Sequence, residues 1–139
     1  MLDAGGLFGK RTHVEKEQSR FLSEITSEFG YDAIGLGDDD LNYGIDFLKQ
    51  VMSDYSLPFT SANVYEVSTG ELLLPEYIKI NRGGITFGIC SVLDPELTIT
   101  TMGKVESPVE VKDPVATLRE LMPRMRDDGV ESLILFCHM

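Results

Sequence analysis

The sequence predicts an α/β fold, on three observations. Through the first sixty residues, apolar segments with a helical period alternate with short strand-like runs, the pattern of a parallel α/β core. Further on, two strand-like runs flank Asn81-Arg82-Gly83-Gly84, a hairpin signature that should place residues 76–92 in a second sheet. The composition, 42% hydrophobic and 25% charged over 139 residues, suits one globular core and lacks the low hydrophobicity of a disordered chain.

Taken in order, "MLDAG" reads as the end of a strand entering a glycine-rich loop. From about Thr12 to Phe29, apolar Val14, Phe21, Leu22, Ile25 and Phe29 mark one helix face, expected to be the buried one. Thr12 or a nearby hydroxyl would cap this helix with Glu15 three residues on, and Gly30 would stop it. "YDAIGL" predicts a short buried strand, followed by an acidic loop. Helical periodicity returns from Gly44 to Asp54 through Ile45, Phe47, Leu48, Val51 and Met52, and "FTSANV" is another strand. "LTITTMGKVESPVEV" reads as extended and irregular. A helix from Asp113 to about Asp128 starts well at Pro114, whose missing N–H is harmless in the first turn, but should kink or break at Pro123. "ESLILFCHM" predicts a final buried strand, and Cys90 and Cys137 read as small buried hydrophobes.

A formal net charge of -11, with no Lys/Arg cluster, argues against nucleic-acid and anionic-membrane partners, because phosphate backbones are held by clustered cations. No apolar run approaches a membrane span, and the first residues resemble no signal peptide. The chain enters on a loop and stops on an apolar strand. We therefore expect residues 1–139 to be a single domain truncated at both ends.

Ligands of open α/β sheets gather at the carboxyl ends of the strands. "DAGGLFG", "GDDDLNYG" and "CHM" should all fall there, which makes Asp3, Asp38, Asp39, Asp40, Asn42 and His138 the polar candidates on one rim. Oxygen and imidazole donors suit Mg, Mn, Fe or Zn. The residues alone equally allow a solvated acidic turn and a packed terminal histidine. An EF-hand is excluded, since counting from Asp38 puts the required glycine one place late and Lys49 at the twelfth position. "DAGGLFGKRT" is no Walker loop either: only three residues separate Gly5 from Gly9, and Arg11 takes the hydroxyl position.

As an ordered set, four stretches resemble the N-terminal domain of the 5′-nucleotidase-like branch of the calcineurin-like metallophosphoesterases. "LDAGGLFG" is similar to that family's "LDAGDxFxG", and "GYDAIGLGDDDLNYG" to its "GYDAxxxGNHEFDxG". "DFLKQ" with "LPFTSANV" resembles the helix and strand that follow, and "LILFCHM" the strand ending "xLSHxG". The resemblance implies a metallophosphoesterase-like four-layered αββα sandwich with two metals on its rim, activating a hydroxide and neutralising a phosphoryl group. It also implies a phosphate ester or nucleotide as partner and a periplasmic or extracellular location.

The departures decide what to expect of function. The family's bridging aspartate falls on Gly6, its metal-binding asparagine on Asp38, and its catalytic histidine on Asp39. Asp40 replaces a nearby glutamate, and His138 matches the one retained histidine ligand. An aspartate at neutral pH is ordinarily a carboxylate, which would repel a phosphoryl group and donate no proton. The family's opening "DxH" and later "GHxH" are absent from this chain. We expect one divalent metal (Mn, Zn, Fe or Mg) held weakly by Asp38 and His138 with help from Asp40, and little or no turnover. The alternative is a fragment of a metal-dependent 5′-nucleotidase-like phosphoric ester hydrolase.

Overall fold

The computed structural model of the protein describes residues 1–8, 13–97, 99 and 108–138. The expected cap Thr12, the Gly9-Lys10 pair and most of the run 97–111 lie outside the described residues. In chain order the elements are β1 (Leu2–Asp3), α1 (His13–Glu28), β2 (Ala33–Gly35), a 3-10 turn (Asp39–Leu41), α2 (Ile45–Tyr55), β3 (Phe59–Thr60), β4 (Val64–Glu66), β5 (Ile78–Arg82), β6 (Ile85–Leu93), β7 (Val109–Val111), α3 (Pro114–Asp127) and β8 (Ser132–His138).

Strands β1, β2 and β3 form a parallel sheet in that order, as helix–strand alternation requires. A second sheet has the order β5-β6-β8: β5 and β6 are an antiparallel hairpin, and β8 lies parallel to β6 with Leu93 opposite His138. The hairpin turns at Gly83-Gly84, both with positive φ (63° and 83°), the backbone that a tight two-residue turn needs. β4 and β7 make a small antiparallel ribbon.

Two apolar clusters define the layering. Phe8, Ile34, Leu36, Phe47, Leu48 and Phe59 belong to the larger one, between α2 and the parallel sheet. Cys90, Val92, Leu121, Met125 and Val130 form the other, between β6 and α3. Ser91 links the two sheets: its hydroxyl donates to Thr60 O and accepts from Leu36 N–H, at 2.5 and 3.1 Å. The α/β architecture of mixed sheets and, among the described residues, three helices is that of an αββα sandwich. Among the described residues no helix is long and apolar enough to cross a membrane.

Four local expectations are corrected. The largest concerns α1, whose apolar face turns outward: Phe21, Leu22 and Phe29 are exposed, while Ser19, Ser23 and Thr26 are buried. The hydroxyls of Ser19 and Ser23 donate to the carbonyls one turn back, so burying them leaves no unmet donor. Lys16 and Arg20 lie over the Phe47 ring, at 5.1 and 5.3 Å from its centroid. Next, α3 runs through Pro123 as one helix, because that residue sits on the exposed face where water can meet the carbonyl it leaves free. "FTSANV" is split between β3 and β4, since Ser61 and Ala62 donate instead to Pro75 O and Ser91 O. Finally, β8 is half-buried and Cys137 is exposed, as befits a strand at the end of its sheet, whereas Cys90 is buried as expected.

Candidate functional site

The loop after β1 is pressed onto the loop after β2. A Cβ at Gly5 would stand 2.6 Å from Gly35 O, and one at Gly37 would stand 2.6 Å from Gly6 N, so only glycines permit this approach. Asp40 locks the two loops together. Its Oδ2 accepts from Gly6 N–H and Gly37 N–H at 2.9 and 2.8 Å, and its Oδ1 from Phe8 N–H at 3.1 Å. The carboxylate is fully buried. Burial pushes its pKa up to about 6, and the backbone N–H groups that favour the ionised form offset only part of this.

The single 3-10 turn sends the three consecutive aspartates in different directions. Asp40 points into the loops, Asp39 is exposed and accepts from Asn42 Nδ2 at 2.9 Å, and Asp38 is half-buried on the rim. From the end of β8, His138 reaches Asp38, with 2.8 Å between Nε2 and Oδ1. An ionised carboxylate only accepts, so the ring nitrogen facing it carries the hydrogen. Asp3 folds back on its own loop, accepting from Gly5 N–H at 2.9 Å, and Asn42 is buried beside Asp39. Thus Asp38 and His138, a hundred residues apart in sequence, are brought together. Asp40 sits behind them with its oxygens already engaged.

Gly6 faces open space: a Cβ built there meets no atom within 4 Å, at a φ of 79° that strains any larger residue. A two-metal centre needs a bridging donor and several ligands around it. Here Asp38 and His138 face each other, Gly6 offers no donor, and Asp40 is bound to backbone. Among the described residues no group of three or more His, Cys, Asp or Glu could hold a metal ion. The side chains of the described residues do not fit a two-metal centre.

Sequence reasoning passed over Asn63, a buried residue that shapes the rim from behind. Its Nδ2 donates to Leu93 O and Lys112 O, both at 2.8 Å, and its Oδ1 accepts from Leu93 N–H at 3.0 Å. It therefore fixes the end of β6, next to which His138 lies. A polar residue inside an apolar strand motif was the available signal.

No protein-family model matches the chain. The 2′,3′-cyclic-nucleotide 2′-phosphodiesterase/3′-nucleotidase of Salmonella typhimurium is 27% identical over 116 residues, covering 76% of this chain and 18% of its own. The trifunctional nucleotide phosphoesterase YfkN of Bacillus subtilis is 28% identical over 125 residues, covering 84% of this chain and 8% of its own. The chain is a family-level match to the calcineurin-like, 5′-nucleotidase-like phosphoesterase superfamily. It spans less than a fifth of the length of either of these two curated relatives. Among solved structures, the sulfate thiohydrolase SoxB of Thermus thermophilus superposes over 99% of this chain and 25% of its own, with a TM-score of 0.79 at 14% identity, a likeness of fold. The calcineurin-like phosphoesterase frame is thus present together with a depleted set of metal donors among the described residues.

Proposed function

We propose that this chain is a degenerate metallophosphoesterase-like domain with little or no hydrolase activity of its own. In this reading, Asp38 and His138 hold one divalent ion weakly, and a phosphate ester would meet the rim through that ion. The observation that carries it is Gly6: the loop position next to the rim has open space and no donor, while the neighbouring buried carboxylate of Asp40 is tied to backbone. Without a bridging ligand, a second ion has nothing to fix its distance from the first. Asp39 adds an exposed acidic side chain beside the rim, where a phosphoryl group needs a neutral or cationic donor.

Binding a metal through His138 Nε2 also has a cost. The ring nitrogen must leave Asp38 and present a lone pair, its hydrogen moving to Nδ1, so binding breaks an existing bond. The relatives act on nucleotides by name, which favours a nucleotide-like phosphate ester as the ligand class. A second reading is that these residues are a piece of a metal-dependent 5′-nucleotidase-like hydrolase whose remaining ligands lie elsewhere in a longer protein. The small share of each relative that the chain spans favours it.

Hydrolysis of bis(4-nitrophenyl) phosphate and of AMP, with Mn or Zn present and absent, tests the proposal. The expected rate with the chain equals that with metal alone. Metal-dependent turnover by the chain would overturn the reading, and turnover confined to the complete reading frame would favour the second one.

A further inference from the structure

Helix α1 packs on the domain through its polar side and presents an apolar stripe outward. Phe21, Leu22 and Ile25 share one face of α1, and Phe29 follows at the same four-residue spacing one residue past its end. Phe21 and Phe29 are 60% and 62% exposed, and Leu22 is 42% exposed. Such a stripe is ordinarily what a helix buries. Here the opposite face, with Ser19, Ser23, Lys16 and Arg20, does the packing, so the outward placement is fixed by contacts already made.

The charge beside the stripe selects the occupant. At 100° per residue, Glu17, Glu24 and Glu28 line one edge of it. All three are exposed, and only Glu17 of them has an ion pair among the described residues, with Arg20 at 3.9 Å. Lys16 and Arg20 lie over Phe47, and only Arg20 also reaches this edge, so Glu24 and Glu28 leave it acidic. A second copy of the chain is a poor occupant: antiparallel pairing would set Glu24 and Glu28 against their equivalents, and each chain carries a net charge of -11. Anionic membrane is repelled for the same reason.

We propose that the outer face of α1 is a docking surface for an amphipathic helix of another protein, apolar along one stripe and flanked by Lys or Arg. The partner helix lays its apolar residues over Phe21, Leu22, Ile25 and Phe29, and its cations meet Glu24 and Glu28. This surface is independent of the Asp38–His138 rim, and its failure would leave the reading of that rim intact.

The probe is a synthetic helical peptide of about 18 residues, long enough to fold in water, with a leucine stripe and lysine flanks. Controls are a scramble of the same composition, a glutamate-flanked analogue and neutral phosphatidylcholine vesicles, each titrated against the 139-residue chain. We expect the lysine-flanked peptide to bind at least about tenfold more tightly than the scramble and to shift α1 amide resonances. Phe21→Ser with Phe29→Ser should weaken binding about tenfold or more, with circular dichroism unchanged because both rings are exposed. Glu24→Lys with Glu28→Lys should switch preference to the glutamate-flanked analogue. Equal binding of the scramble, shifts confined to other elements, or indifference to the phenylalanine variant overturns the proposal. So does a dimer that the phenylalanine variant dissociates, which would make a second copy the occupant, and so does partition onto vesicles without peptide binding.

Discussion

Asp38 and Asp40 stand two residues apart, one at the N-cap position of a 3-10 turn and the other inside it, and they do opposite work. Asp40 is buried and joins two loops through backbone N–H groups; Asp38 is half-buried and meets one side chain, His138. The glycine approach and the Asp40 lock hold the rim in shape whether or not anything binds there. A binding rim of this kind can therefore keep its framework while losing its ligands, because framework and ligand set rest on different residues.

The sharpest break of this comparison is Asp40→Ala, which strands the N–H groups of Phe8 and Gly37, both buried, and of Gly6, and should cost about 3–5 kcal/mol in denaturant unfolding. A result under about 1 kcal/mol would mean the loops do not depend on this lock. The same carboxyl should leave a pH signature. Its folded-state pKa, about 6, lies above the ordinary 3.8. Its contribution is therefore full below pH 3.8 and is lost as pH rises through about 6. Relative to Asp40→Asn, which does not titrate, the native chain should lose on the order of 3 kcal/mol between those pH values. A difference that stays flat or rises with pH would contradict the burial argument.

Asn63→Ala should rank next, at about 2–4 kcal/mol, since it removes two buried hydrogen bonds at the end of β6 and a part-buried one to Lys112 O. A thermal melt gives the value, and heteronuclear spectra should place the disturbance at Leu93 and His138. Gly6→Asp should cost about 1 kcal/mol, from the positive φ alone, and confer no turnover. Gain of metal-dependent hydrolysis from that one change would mean the rest of a competent site is already in place. Smallest is Asp38→Asn, which should alter stability by less than about 1 kcal/mol, because the His138 pair is partly exposed. A larger loss would make Asp38 part of the framework and erase the contrast with Asp40.

Much of the frame was legible in the sequence. The span of α1 before Gly30 and the Gly83-Gly84 hairpin follow from local chemistry, whereas Asp38 and His138 meet as expected but across two sheets, β2 lying in one and β8 in the other. Other features were hidden for physical reasons. Periodicity identifies an apolar face on α1 but not its direction, and internally bonded serines plus two cations over Phe47 reversed it. Three identical aspartates carry no mark of which one is buried, since the 3-10 turn alone separates their directions. Pro123 lies on the exposed face, so the expected break in α3 did not follow.

The central claim is that the rim retains at most one weak metal position, formed by Asp38 and His138. Calorimetric titration of the folded chain with Mn tests this most directly. The account predicts no more than one weak equivalent, abolished by His138→Gln. Two tight equivalents, or one that survives His138→Gln, would contradict it.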